Sequence, residues 1–207
     1  MADKPRPRLQ RLDLTDYADV LADMSAFTDR RDAETADEIW LVQHPPVFTL
    51  GMSADASHVL DAGEIPVIRV DRGGQVTYHG PGQLLAYVLL DLRRARLGIR
   101  ELVTALETAV VETVAAYGID ASSRRDAPGV YVHGAKLASV GLRVRRGCSY
   151  HGIAINVNMD LGPFRRINPC GLADIEVTQV ADLGGPAHLS TVREDLIPNL
   201  LALLGAP

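Results

Sequence analysis

Cys170 stands in Ile167-Asn168-Pro169-Cys170-Gly171, a thiol between a proline and a glycine. Proline fixes its own φ and biases Asn168 toward extended backbone, while Gly171 can adopt angles barred to other residues; the pentapeptide therefore reads as a tight turn presenting the sulfur to a cleft. Backbone N–H groups converging on such a turn could hold a developing oxyanion. An inert, buried loop cysteine is the competing reading. Cys148, in Arg146-Gly147-Cys148-Ser149, has a cationic neighbour but no proline turn and ranks below Cys170 as a nucleophile. Lys136 leads the small, apolar run Leu137-Ala138-Ser139-Val140-Gly141. Pointing inward it could pass protons; pointing outward it is an ordinary strand-end cation reaching water.

The densest group of special residues is Arg72-Gly73-Gly74-Gln75-Val76-Thr77-Tyr78-His79-Gly80-Pro81-Gly82-Gln83, with four glycines in this stretch. Glycines let N–H groups line a concavity, and the segment adds a cation, two hydroxyls and an imidazole, which suits a binding loop. A glycine-rich hairpin with solvated side chains would have the same composition, and neither the Walker nor the dinucleotide spacing of glycines is present. His151 opens His151-Gly152-Ile153-Ala154-Ile155-Asn156-Val157-Asn158. It could position an acyl carbonyl, or serve as a structural hydrogen-bond donor. No His-x-x-x-His or Cys-x-x-Cys pairing occurs, so no metal site is expected.

The elements that must position these groups follow from periodicity. After a frayed start, Thr15-Asp16 caps a helix with Val20, Leu21, Met24 and Phe27 at helical spacing. Extended segments are predicted over 38–43, 47–50 and 67–70, and a buried strand over 83–92 before the arginines Arg93, Arg94 and Arg96. Ile99, Leu102, Val103, Leu106, Val110, Val114 and Tyr117 draw one helical stripe that Gly118 stops. Segments 129–133, 136–145 and 149–158 read as sequential antiparallel strands, making the sheet mixed or mostly antiparallel. A last helix has Thr191 and Glu194 at capping-box spacing, with Pro198 expected to kink or divide it.

The chain has 207 residues, 47% of them hydrophobic, and no linker-like stretch, so a single domain over 1–207 is expected. Its formal net charge of -5 argues against generic nucleic-acid binding. No apolar run reaches membrane-spanning length and the start lacks a signal-peptide pattern, so a cytoplasmic protein off the membrane, with both cysteines reduced, is expected.

Taken together, the segments 72–83, 136–141 running into 151–158, and 167–171 closely resemble the lipoyl(octanoyl) transferases, over about Tyr17 to Leu183. The first fifteen residues and 184–207 match least. The resemblance implies an α/β (α+β) single domain of the biotin/lipoate protein ligase catalytic-domain type, with a larger mixed, mostly antiparallel sheet and a smaller one, flanked by helices. It implies Cys170 as acyl-thioester nucleophile and Lys136 as its partner, with His151 as possible support. Arg72, Gly73, Gly74, Gln75, Val76, Thr77, Tyr78, His79, Ser139, Val140, Gly141, Gly152, Ile153 and Ala154 would line the acyl site. The implied partners are octanoyl-acyl carrier protein and the lipoyl domains of 2-oxoacid dehydrogenase complexes and the glycine cleavage H protein, with no cofactor, and a monomer is expected.

On that reading, a Lys136 ammonium near Cys170 would favour its thiolate, and thioester exchange would need no ATP. Arg93, Arg94, Arg96, Arg143, Arg145, Arg146, Arg165 and Arg166 could form a docking face for acidic carriers. The alternatives are an ATP-dependent lipoate or biotin ligase, a silent acyl-binding protein, and a cysteine hydrolase in which His151 would outweigh Lys136.

Overall fold

Backbone N–H and C=O groups that leave water need partners, and the chain meets that need with two sheets. The computed structural model describes residues 6–168 and 176–205. Seven strands form the larger sheet in the order β1 (Arg8–Leu14), β2 (Glu38–Gln43), β6 (Gln83–Leu89), β10 (Cys148–Asn156), β9 (Ala135–Arg145), β8 (Gly129–Val132) and β7 (Ser122–Ser123). Three form the smaller, in the order β4 (Val67–Arg69), β3 (Val47–Leu50) and β5 (Val76–His79). β1 on β2 and β4 on β3 are parallel, and the other pairings are antiparallel.

Helices cover both faces of the large sheet. In β6, Leu84, Ala86 and Val88 join the core beneath α3 (Ile99–Ala115) and α4 (Leu189–Gly205), while Leu85, Tyr87 and Leu89 join the core beneath α1 (Tyr17–Arg30). A strand buried on both faces has no polar side, which is why residues 84–89, after Gln83, read as an unbroken apolar run. α1 begins where Asp16 accepts the Ala18 N–H at 2.7 Å, and it buries Val20, Met24 and Phe27. α3 buries Leu102, Leu106, Ala109, Val110 and Val114, each side chain contributing roughly 1.5–3 kcal/mol where it is large. It ends before Gly118, whose φ of 79° only glycine adopts freely.

Several expectations are corrected. The start is not frayed over Arg8–Leu14, which hydrogen-bonds to β2 in parallel; its Leu9, Leu12 and Leu14 follow no strand alternation. The segment after Leu89 is not strand: Asp91 accepts the N–H groups of Arg93 and Arg94 and caps a short helix, α2 (Leu92–Ala95). The glycine-rich segment is not all loop, since its middle is β5. Thr191 lies inside α4 rather than at its start, and Pro198 does not divide that helix.

Gly152 sits at the centre of the large sheet, opposite Tyr87 on one side and Gly141 on the other. A Cβ there would collide with the Ala86 carbonyl oxygen and lie 3.0 Å from its carbon, and backbone in a central strand cannot retreat. Gly152→Ala is expected to cost about 3 kcal/mol or more, as severe overpacking does. Urea unfolding tests this, and an unchanged midpoint would contradict it.

Candidate functional site

Lys136 and Ser139 are three residues apart, so strict alternation along a strand would put them on opposite faces. The observed register prevents this: Val130 pairs with Ala138 but Tyr131 pairs with Lys136, so β9 carries one extra residue, a β-bulge. Leu137 and Ala138 both enter the core under α3. Lys136 and Ser139 thereby share a face with Tyr131 and Gly129, and Gly141 continues it. The Lys136 Nζ lies 5.3 Å from the centre of the Tyr131 ring, a cation–π distance.

That face borders a cavity of about 450 Å³. Of the residues singled out in the sequence, Arg72, Gly73, Gly74, Gln75, Val76, Thr77 and His79 line it, as do Lys136, Ser139, Val140, Gly141, His151, Gly152, Ile153 and Ala154. Tyr78 is not among the lining residues. Its ring turns into the core of the small sheet, tilted on Phe48 at 5.5 Å and edge-on to Phe164 at 5.5 Å. Cys170 lies outside the described residues. The flanking chain is held at both ends: Asn168 donates its N–H to the His58 carbonyl at 2.7 Å, and the Glu176 carbonyl accepts the Lys136 N–H at 2.8 Å.

A hydrogen-bond chain of one polarity ties the cavity together. Arg72 Nη2 donates to Thr49 Oγ1 at 2.7 Å, Thr49 Oγ1 reaches His79 Nε2 at 3.4 Å, and His79 Nδ1 donates to Gln83 Oε1 at 2.7 Å. Gln83 Nε2 donates to Asn156 Oδ1 at 2.9 Å, Asn156 Nδ2 donates to the Thr178 carbonyl at 3.0 Å, and the Thr178 N–H returns to the Lys136 carbonyl at 3.0 Å. In this arrangement His79 is neutral with its proton on Nδ1, and burial holds its pKa well below the ordinary value. Gly141 has no side chain because Arg72 Cδ occupies the space a Cβ would need, at 2.9 Å.

Further polar groups adjoin the cavity; Tyr17 and Tyr87 line it, and sequence reasoning had not singled out these two or His44, Asp71 and Tyr150. Tyr17 stacks on His79 with ring centres 5.5 Å apart, and Tyr87 shares a hydrogen bond with His44 Nε2 at 2.8 Å while His44 Nδ1 donates to the Thr15 carbonyl at 2.7 Å. His151 Nε2 meets Asp71 Oδ1 at 3.1 Å, and the neighbouring Tyr150 hydroxyl donates to the same carboxylate. Consecutive strand residues normally point apart; His151 has a φ of 61°, a left-handed value uncommon outside glycine, which turns both rings to one side and stacks them 5.0 Å apart. The His151 and Tyr150 hydrogen bonds bring the Asp71 carboxyl down to about 2. Asp71 stands directly before Arg72 and Tyr87 only four residues past Gln83, yet neither carries a motif of its own; Thr15 and Asp16 had drawn attention merely as a cap.

Three buried histidines make stability fall with acid. Burial lowers the pKa values of His44, to about 4, and of His79 and His151, where Asp71 opposes the change at His151. Each would bind a proton more readily unfolded than folded, so its contribution is complete above pH ~6.5 and is lost as pH falls toward the folded value. For His44 alone the loss is on the order of 3 kcal/mol between the ordinary pKa and about 4. Urea midpoints at pH 7.5, 5.5 and 4.5 should fall in that order, and His44→Asn should flatten the trend. Equal midpoints would refute it.

Cys148 is buried and carries no disulfide among the described residues. Burial pushes its thiol up, the wrong direction for a nucleophile. Of the proposed docking arginines, Arg94 pairs with Asp37 at 2.8 Å, Arg145 with Asp29 at 3.1 Å and Arg166 with Asp61 at 3.5 Å. Each of these three guanidiniums is thus already paired with a carboxylate. Arg145 also ends β9 at the opposite extreme from Lys136, and Arg146 stands in the turn that follows.

Among solved structures, lipoate-protein ligase A bound with ATP matches with a TM-score of 0.81 at 19% identity, covering 97% of this chain and 86% of that one. At that identity the likeness is one of fold, and the architecture is the catalytic-domain fold of lipoate and biotin protein ligases. The family described as the lipoyl protein ligase A/B catalytic domain matches residues 16–200, and the chain belongs to it. The octanoyltransferase of Vibrio vulnificus (strain YJ016) is 56% identical over 197 residues, 95% of this chain and 90% of that relative. That of Pseudomonas entomophila (strain L48) is 57% identical over 193 residues, 93% and 90% respectively. Among the described residues no helix is long and apolar enough to cross a membrane.

Proposed function

We propose that this chain is an acyltransferase of protein lipoylation, moving an octanoyl group from acyl carrier protein to a lysine of a lipoyl domain through a thioester on Cys170. The observation that carries the reading is the placement of Lys136: it faces the cavity, and its backbone bonds to Glu176 and Thr178, which follow the segment holding Cys170 in the sequence. The identity with octanoyltransferases supports the same reading.

The chemistry balances with two protein groups. The Cys170 thiolate attacks the donor thioester carbonyl, a new S–C bond forms, the phosphopantetheine C–S bond breaks, and Lys136 gives the departing sulfur a proton. Neutral Lys136 then takes one proton from the incoming ammonium. The amine nitrogen attacks, the Cys170 C–S bond breaks to restore the thiolate, and the second nitrogen proton goes to water. Exchange of one thioester for another is near balance and amide formation is downhill, so the reading needs neither ATP nor cofactor. The cavity is mostly apolar, and burying about seven methylene or methyl groups at ~0.8 kcal/mol each supplies on the order of 5 kcal/mol. A cytoplasmic location follows from such partners.

Intact mass spectrometry after incubation with octanoyl-acyl carrier protein, without nucleotide, tests this. The expected result is one octanoyl adduct mapping to the peptide that contains Cys170. Absence of an adduct, together with ATP-dependent transfer from free octanoate, would replace the proposal with the ligase reading.

A further inference from the structure

Glu107 lies within α3 yet is only 6% exposed, a buried carboxylate that the chemistry above leaves unused. Its Oε1 accepts the Gly129 N–H at 2.7 Å. Gly129 is also the neighbour of Lys136: a Cβ on it would stand 3.2 Å from Lys136 Cε and 2.6 Å from the Ala138 carbonyl, and its φ of 143° favours glycine. One glycine thus separates the carboxylate from the lysine stem. Among the described residues the pair makes no ion pair within contact distance, and the ammonium rests on Tyr131 instead. The other charges nearby are engaged or exposed: Asp126 pairs with Arg124 at 2.6 Å, and Glu176 meets Lys136 through its backbone carbonyl while its residue is exposed. Burial raises the Glu107 carboxyl, and the Lys136 charge opposes that rise.

We propose that Glu107 is a positioning residue that returns Lys136 to its ammonium form between the two half-reactions. This rests on the reading of Lys136 as proton carrier. When Lys136 gives its proton to the leaving sulfur, Glu107 is left as a buried anion without a counter-charge, a costly state. The proton of the incoming ammonium relieves it: the acceptor N–H bond breaks, the Lys136 N–H bond forms, and the acceptor amine is freed to attack the thioester. Glu107 therefore assists the second half-reaction and not the first, in which its attraction for the Lys136 proton slightly opposes donation.

The test separates the half-reactions in single turnovers of the full chain. Acylation by octanoyl-acyl carrier protein is followed by intact mass, and transfer by adding a lipoyl domain to the preformed adduct. Glu107→Gln keeps an acceptor for Gly129 and removes the charge. Acylation should stay within about twofold of wild type while transfer slows roughly tenfold or more, less than the 10²–10⁴-fold range of a proton-transferring group because Glu107 acts through Lys136, so the adduct accumulates at steady state. Glu107→Asp, which keeps the charge, should restore the wild-type ratio of the two rates even if both fall. Equal slowing of both steps in Glu107→Gln, no change in either, or the same skewed ratio in Glu107→Asp would overturn the proposal. A wild-type protein that forms no adduct removes the underlying reading, and this one with it.

Discussion

Cys170→Ser should abolish the octanoyl adduct and reduce transfer by on the order of 10⁴-fold or more, because an alcohol replaces the one group able to attack as an anion near neutral pH. The substitution exchanges sulfur for oxygen at nearly constant volume, so the urea midpoint should hardly move. Cys148→Ser is the control. Its thiol is buried and pushed up, so that variant should keep activity within about twofold and still form the adduct. Transfer that survives Cys170→Ser and requires ATP would mean that a nucleotide-activated acid, not a protein thioester, is the intermediate. An adduct that moves to Cys148 would locate the nucleophile wrongly rather than refute covalent catalysis.

Lys136→Met is expected to lower kcat by about 10²–10⁴-fold with little change in KM for the donor, the range that general acid–base catalysis spans. The structural work at this position belongs to the backbone, which donates to the Glu176 carbonyl at 2.8 Å and accepts from the Thr178 N–H at 3.0 Å. Methionine retains those bonds and an unbranched apolar stem against Gly129 and Tyr131, so urea stability should hardly move. Both half-reactions should slow, in contrast to Glu107→Gln. A loss smaller than tenfold would show that the proton passes another way, and the buried His151, bonded to Asp71 at 3.1 Å, would be the group to examine next.

The helices were legible because their signals are local. Asp16 caps α1, and the stripe from Leu102 to Val114 runs along α3, each within a few turns of its own sequence. The central strands were legible as well, since β6 and β10 are buried throughout and mostly apolar. β1 was not, because it is held by parallel backbone bonds to β2, thirty residues away, and its side chains carry little pattern. Tyr17, His44, Asp71, Tyr87 and Glu107 escaped notice for a similar reason. Each is an ordinary residue type, and only the packing of α1, α3 and the two sheets brings Tyr17 and Tyr87 to the cavity and sets His44, Asp71 and Glu107 against Tyr87, His151 and Gly129.

By itself the amino-acid order determined which residues are chemically eligible: a thiol on a proline turn, a lysine heading a small apolar strand, and a glycine-rich segment able to bring backbone close to a ligand. It could not determine which way they face, since side-chain direction along a strand obeys alternation until something interrupts it. Two interruptions decide the site. The extra residue in β9 brings Lys136 to the face of Ser139 and Gly141, and the left-handed backbone at His151 turns its ring with Tyr150 onto Asp71. Both lie in strands joined by short hairpins, and only the register of pairing and the contact with Asp71, formed in the folded chain, decide them.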